Sequence, residues 1–136
     1  MAITTRQPFI YTQKHKYLGE LASSSSTNVI PNNGVTKIVL ASSYVLQGPE
    51  VGSLVTIYAV GVDAVINSVS TTAGSTGQVS FNGAGGTQKL NLLYDSTVLN
   101  DPCVTLLGES ATQWRIISFG NNGAMATSNA GISVTT

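Results

Sequence analysis

From Val29 onward the chain is built from runs of four to eight residues rich in Val, Ile, Thr and aromatics, each closed by a turn signal. That pattern belongs to strands, and their frequency belongs to an all-β sandwich or barrel. The runs lie near 35–41, 44–47, 53–60, 62–69, 77–82, 87–93, 102–107, 113–119 and 130–135. Asn33-Gly34, Asn82-Gly83 and Asn122-Gly123 fall between them. Both residue types tolerate the positive φ of a type I′ turn, so each dipeptide is expected to close a hairpin. No window repeats apolar residues at helical spacing, and the one segment with room for a short helix is 9–21. The expected fold is a small antiparallel β-sandwich or barrel.

Alternation indicates which side chains share a face. Thr56, Tyr58, Val60, Val62, Ala64 and Ile66 fall together, yet Val55, Ile57, Ala59 and Val65 on the other face are also apolar. A small antiparallel sheet usually wets one face, so two apolar faces imply a second sheet, a subunit contact, or both. Self-association would also hide sheet edges, because charged residues make up only 9% of the chain and few remain to guard them. Sixteen serines, sixteen threonines and 14 glycines fill the polar positions instead. Residues 51–69 are apolar enough to raise a membrane span, but Asp63, Asn67, two glycines and a sheet-like period argue against one.

The chain divides into an extended arm and hinge over 1–28 and a β-domain over 29–136. The run Ser23 to Ser26 suits neither helix nor core and reads as the hinge. The net charge is zero, but residues 1–19 carry Arg6, Lys14 and Lys16 with no acid, which leaves +3 there and −3 in the remainder. An arm so charged is expected to dock on an acidic surface; +3 is too little for nucleic-acid binding by counterion release. Phe9, Tyr11 and Tyr17 would be exposed unless a partner covers them. Arg6, Phe9, Tyr11, Lys14, Lys16 and Tyr17 are therefore the expected partner contacts.

Residues able to do chemistry are sparse. Cys103 is the one cysteine, without a partner for a disulfide or a Cys-x-x-Cys site. His15, the one histidine, sits between Lys14 and Lys16, whose charges oppose its protonation and make it a poor metal ligand or base. A Cys103–His15–Asp101 nucleophile would need a rigid platform that an arm does not supply. The six carboxylates are dispersed without metal-ligand spacing, and there is no Gly-x-Ser-x-Gly elbow. Gly83-Ala84-Gly85-Gly86 lacks the Lys-Ser/Thr and helix of a phosphate loop. Neither enzyme activity, nor metal, nor cofactor is expected.

Trp114, the one tryptophan, lies in 113–119, which should fold back on Val104–Leu107 across 108–112. On that pairing Trp114, Ile116, Val104 and Leu106 form structural core. The alternative makes Trp114 a sugar-stacking platform served by Glu109, Gln113 and Arg115, as in a carbohydrate-binding module.

Gly52-x-x-Val55-Thr56-Ile57, Asn82-Gly83-x-Gly85-Gly86, Lys89-Leu90-Asn91-Leu92, Val104-Thr105-Leu106-Leu107 and Thr112-Gln113-Trp114-Arg115-Ile116-Ile117 together resemble the β-domain repeated across tailed-phage virion proteins. The likeness covers about residues 50–119, and departs from the pattern at Asp101-Pro102-Cys103 and over Asn67 to Thr76. It implies a trimeric β-protein on the virion exterior. One expectation is a capsid decoration (cement) protein whose arm straps the major capsid protein. The other is a segment of tail fibre or receptor-binding protein.

Overall fold

Twelve strands among the described residues carry the chain back and forth between two packed sheets. The computed structural model describes residues 17–21, 28–70, 77–82, 88–97, 99, 101–121 and 131–135. The strands are β1 (Tyr17–Leu21), β2 (Val29–Ile30), β3 (Gly34–Ile38), β4 (Ser42–Gln47), β5 (Leu54–Ala59), β6 (Ala64–Ser70), β7 (Gly77–Gln78), β8 (Ser80–Phe81), β9 (Lys89–Leu93), β10 (Pro102–Ser110), β11 (Gln113–Asn121) and β12 (Gly131–Thr135). Sheet A runs β1-β3-β5-β10-β11-β8 and sheet B runs β12-β9-β6-β4-β2, with β7 paired to β6. The molecule is all-β among the described residues, a two-sheet sandwich rather than a closed barrel.

The sheets are mixed, which corrects the expectation of antiparallel ones. β1, β3 and β5 are parallel in sheet A, and β2, β4 and β6 are parallel in sheet B. Successive strands alternate sheets, so each returns to its own sheet pointing the same way. The strand between them, lying in the opposite sheet, is the crossover that parallel pairing requires. Gly34 aligns with Val55 and Ser42 with Ala64, so one circuit is stacked on the next in register. The second half is mainly antiparallel: β5 pairs β10, β10 pairs β11, β6 pairs β9 and β9 pairs β12, while the short β8 runs parallel to β11.

This winding reassigns the Asn-Gly signals. Gly34 has φ of 81°, but β2 and β3 lie in different sheets, so Asn33-Gly34 makes an arch instead of a hairpin. Asn82 adopts φ of 58°, yet β8 and β9 are likewise in different sheets. Its backbone N–H donates to Trp114 O at 2.8 Å, and its Oδ1 accepts from Ile116 N–H at 2.8 Å, which extends the edge of β11 by one residue. Asn122-Gly123 lies outside the described residues. The local chemistry of an arch and of a tight turn is the same, since both need positive φ. Residues 17–21, the described part of the segment read as arm or short helix, pair with β3 as a strand.

The shared face expected across 56–66 is also broken. Val55, Ile57 and Ala59 point into the core from sheet A and Ala64 and Ile66 from sheet B, while Thr56, Tyr58 and Val60 look outward. Between them the chain changes sheets at Gly61, φ 68°.

The core holds Ile30, Tyr44, Leu46, Ile66, Leu90 and Leu92 from sheet B against Ile38, Val55, Ile57, Phe81, Val104, Leu106 and Trp114 from sheet A, all fully buried. Each such side chain contributes roughly 1.5–3 kcal/mol of transfer free energy. Ile116 is partly buried against this cluster. Gly108 pairs with Trp114 across the β10–β11 hairpin. A Cβ there would stand 2.0 Å from Glu50 O, where the 50–53 turn is bonded to the hairpin through Gly52 N–H to Gly108 O and Gly108 N–H to Ser53 O, each 2.8 Å.

Trp114 Nε1–H donates to Ser68 Oγ at 3.0 Å, and Ser68 Oγ–H donates in turn to Leu46 O at 3.0 Å. Replacing Trp114 by Phe keeps most of the ring volume but strips Ser68 of its donor, so unfolding in denaturant should show a loss of about 1–3 kcal/mol. The loss should be smaller when Ser68→Ala is already present, and equal losses in both backgrounds would show that the bond contributes nothing. Gly108→Ala should destabilise by about 1–3 kcal/mol or more through overpacking against a fixed carbonyl. An unchanged thermal midpoint would refute that clash.

Candidate functional site

The outward face of sheet A carries the most unusual surface of the described residues. Alternation puts Thr56 and Tyr58 of β5, with Val60 just beyond it, beside Cys103, Thr105 and Leu107 of β10, because Cys103 pairs with Tyr58 and Thr105 with Thr56. The two threonines share a hydroxyl hydrogen bond of 2.9 Å between their Oγ1 atoms. On the far side of β10, Thr105 pairs with Ser118 and Cys103 with Gly120.

β11 gains one residue between these pairs: Thr105 faces Ser118, but Leu106 faces Ile116, leaving Ile117 as a bulge. A bulge reverses the alternation beyond it and bends the strand. Ser118 and Gly120 thereby join the outward row, and Phe119 pairs with buried Val104 while standing 70% exposed. β8 accompanies β11 only at Gln113 and Trp114, so Phe119 lies past the described strand on that edge.

The result is an open cleft of about 440 Å³ lined by Tyr58, Val60, Asp101, Cys103, Thr105, Ser118, Phe119 and Gly120. Asp101 is held at its rim by Gly61 N–H, which donates to Oδ1 at 2.8 Å. Gly120 lies across the cleft, and a Cβ there would meet nothing within 4 Å. Phe119 also walls a second cleft of about 350 Å³ with Asn82, Ile116, Ile132, Ser133 and Val134.

The residues expected from the sequence fall elsewhere. Arg6, Phe9, Tyr11, Lys14 and Lys16 lie outside the described residues, and Tyr17 enters the structure as the first residue of β1, pairing with Val35. Trp114, Val104 and Leu106 are fully buried. A buried indole offers no face to a sugar, so the platform reading of Trp114 does not hold. Glu109, Gln113 and Arg115 gather at the exposed end of the hairpin, where Glu109 Oε2 accepts from both Arg115, at 2.8 Å, and Gln113.

Cys103 and Asp101 do share the cleft, but His15 lies outside the described residues and no group of His, Cys, Asp and Glu able to hold a metal occurs among the described ones. No helix of the described residues is long and apolar enough to cross a membrane. The apolar stretch at 51–69 instead forms β5 and most of β6, in opposite sheets.

The sequence did not single out Tyr58 and Phe119 as a pair. Their juxtaposition depends on the β5–β10–β11 register and on the bulge at Ile117, neither of which leaves a spacing signature. Comparison with models of protein families, with curated proteins and with solved structures finds no match to this chain.

Burial pushes the Cys103 thiol above its usual range. The folded state then favours the neutral thiol, so its contribution to stability is complete below the ordinary thiol pKa and is lost as pH rises through the raised one. Cys103 should react with iodoacetamide more slowly than a free thiol at pH 8, and the gap should close as the pH climbs above the raised value. A rate at pH 8 equal to that of the urea-unfolded chain would contradict this.

Proposed function

We propose that this protein is a structural component of a virion exterior, a capsid decoration protein that self-associates through its β-body and fastens to the shell by its leading residues. The observation that carries the reading is the outward face of sheet A. Leu54, Val60, Ile117 and Phe119 are all substantially exposed there or at its margin. Val60 and Phe119 border one cleft, and exposed apolar surface on a chain this poor in charge favours contact with protein. The resemblance of residues 50–119 to virion β-domains supplies the setting and the trimer.

The leading segment fits the same reading. β1 is the outer strand of sheet A, so residues 1–16, with Arg6, Lys14 and Lys16, precede an edge of the body that carries the apolar face. An acidic patch on the major capsid protein is the complementary partner. Contacts at arm and body together raise the effective concentration of each, which lets weak individual contacts hold a particle.

A second reading, a tail-fibre segment, is favoured by the in-register stacking of β3 and β4 on β5 and β6, since a shaft extends by such repetition. Copy number separates the two: a decoration protein is present at hundreds per particle and a fibre at far fewer.

Because β1 belongs to the sheet, the informative truncation stops before it. Deletion of residues 1–16 should leave a folded oligomer that no longer sediments with capsids lacking their own decoration. Undiminished co-sedimentation would refute the strap, and a monomeric full-length protein would refute the assembly.

A further inference from the structure

The cleft between β5, β10 and β11 combines features that a purely protein-binding face does not need. Its described lining carries two aromatic rings, Tyr58 and Phe119, three hydroxyls, those of Tyr58, Thr105 and Ser118, one carboxylate, Asp101, and no cation. At about 440 Å³ it lies within the roughly 300–1,000 Å³ of small-molecule sites. We propose that this cleft binds a neutral pyranose unit of a surface glycan.

The chemistry is that of a molecule with one apolar face and a polar perimeter. The axial C–H face of a pyranose is apolar and buries against an aromatic ring, and Phe119, 70% exposed beyond the end of the described edge pairing, offers such a ring at low cost in reorganisation. The ring hydroxyls need acceptors and donors held in place. Asp101 has one carboxylate oxygen fixed by Gly61 N–H, while its other oxygen has no partner among the described residues. A hydroxyl donating to that oxygen makes a charge-assisted bond, roughly twice as strong as a neutral one. The Tyr58 and Ser118 hydroxyls likewise have no partner among the described residues, whereas Thr105 is engaged with Thr56 and shapes the floor.

Charge disfavours anionic ligands. A phosphate, sulfate or sialic acid carboxylate would face Asp101, and the described lining holds no cation, the nearest by register being Lys37, which pairs with Tyr58 on β3. A metal would find one carboxylate and a thiol whose proton is retained by burial. Gly120 keeps the cleft open, since any side chain there would project into space that is empty for at least 4 Å. The site is separate from the leading segment and does not depend on which particle, if any, carries the protein.

The test uses the full-length protein on an array of neutral and sialylated glycans, followed by titration calorimetry with methyl glycosides of glucose, galactose, mannose and N-acetylglucosamine up to about 10 mM, where a weak single-sugar site is still measurable. Three variants accompany it: Phe119→Ala, Asp101→Asn and Gly120→Leu. Phe119 is largely exposed and the Gly120 space is free, so Phe119→Ala and Gly120→Leu should melt as the parent does. Neutral glycans should bind in preference to sialylated ones, and Phe119→Ala and Gly120→Leu should each weaken binding by ~10-fold or more. Asp101→Asn keeps an acceptor for Gly61 and should weaken binding by less than Phe119→Ala while narrowing the discrimination against sialylated glycans. Absence of neutral-glycan binding at these concentrations overturns the proposal. So does binding that Gly120→Leu leaves unchanged, or a Gly120→Leu effect confined to the sedimentation of the oligomer, which would make the cleft a contact between copies. None of these outcomes bears on capsid co-sedimentation, so the strap and the glycan site fail separately.

Discussion

One buried hydrogen bond ties the two halves of this sandwich together. Trp114 belongs to the antiparallel half of sheet A, Ser68 and Leu46 to the parallel half of sheet B, and the chain Trp114–Ser68–Leu46 crosses the core between them. Aliphatic packing is non-directional, and two sheets faced with Val, Ile and Leu could slide past each other at modest cost. An indole N–H is only a donor, and leaving it unpaired in the core costs about 1–3 kcal/mol. One acceptor at one depth therefore fixes how β11 lies over β6. Thr36 shows the opposite case: its Oγ1 is buried without a partner among the described residues, so its hydroxyl gives no such register.

Fixing that register determines the outer surface as well. With Trp114 and Ile116 committed inward, Ile117 has no place in the alternation and becomes the bulge. The bulge shifts Ser118 and Gly120 to the outward row beside Cys103 and Thr105, and sends Phe119 to the rim. The cleft is thus a consequence of core packing two residues earlier in the same strand. Strands of the parallel half add to it because parallel strands tend to be apolar on both sides, which explains why β5 presents Tyr58, with Val60 following, outward while burying Val55, Ile57 and Ala59.

Strand positions were legible because they depend on local composition. The runs read at 44–47, 53–60, 87–93 and 130–135 coincide with β4, β5, β9 and β12 to within a few residues, and the pairing of 113–119 with 102–107 is the β10–β11 hairpin. Direction and partner were not legible. Asn33-Gly34 supplies the same positive φ to an arch between sheets as to a hairpin within one, and nothing within a few residues distinguishes them. Long-range pairing decides, and Gly34 finds Val55 in parallel. The inward or outward sense of a whole strand follows from one such choice, which is why Ala64 and Ile66 read as continuing the face of Thr56 and Tyr58 when they lie in the opposite sheet. Tyr58, Asp101 and Phe119 could not be brought together from spacing, since three strands and a bulge intervene.

Edge protection follows from the same scarcity of charge. Most sheets discourage edge-to-edge pairing with lysines, prolines or bulges, or by keeping the edge strand short. Here β2 and β8, at the ends of sheets B and A, are two residues each, too short to template a neighbour. Asn82 uses its side chain to occupy the next ladder position on β11, satisfying Ile116 N–H without adding a strand. What remains open among the described strands is β1 at one end of sheet A, β12 at one end of sheet B, and the part of β11 beyond the reach of β8 and Asn82. Brevity at β2 and β8 thus leaves association two routes, these edges and the apolar face of sheet A. β1 is both an open edge and a neighbour of that face, so a partner that engages one is brought within reach of the other. In a chain with six acids and six bases, strand length and the Asn82 cap replace charge in limiting where other molecules can attach.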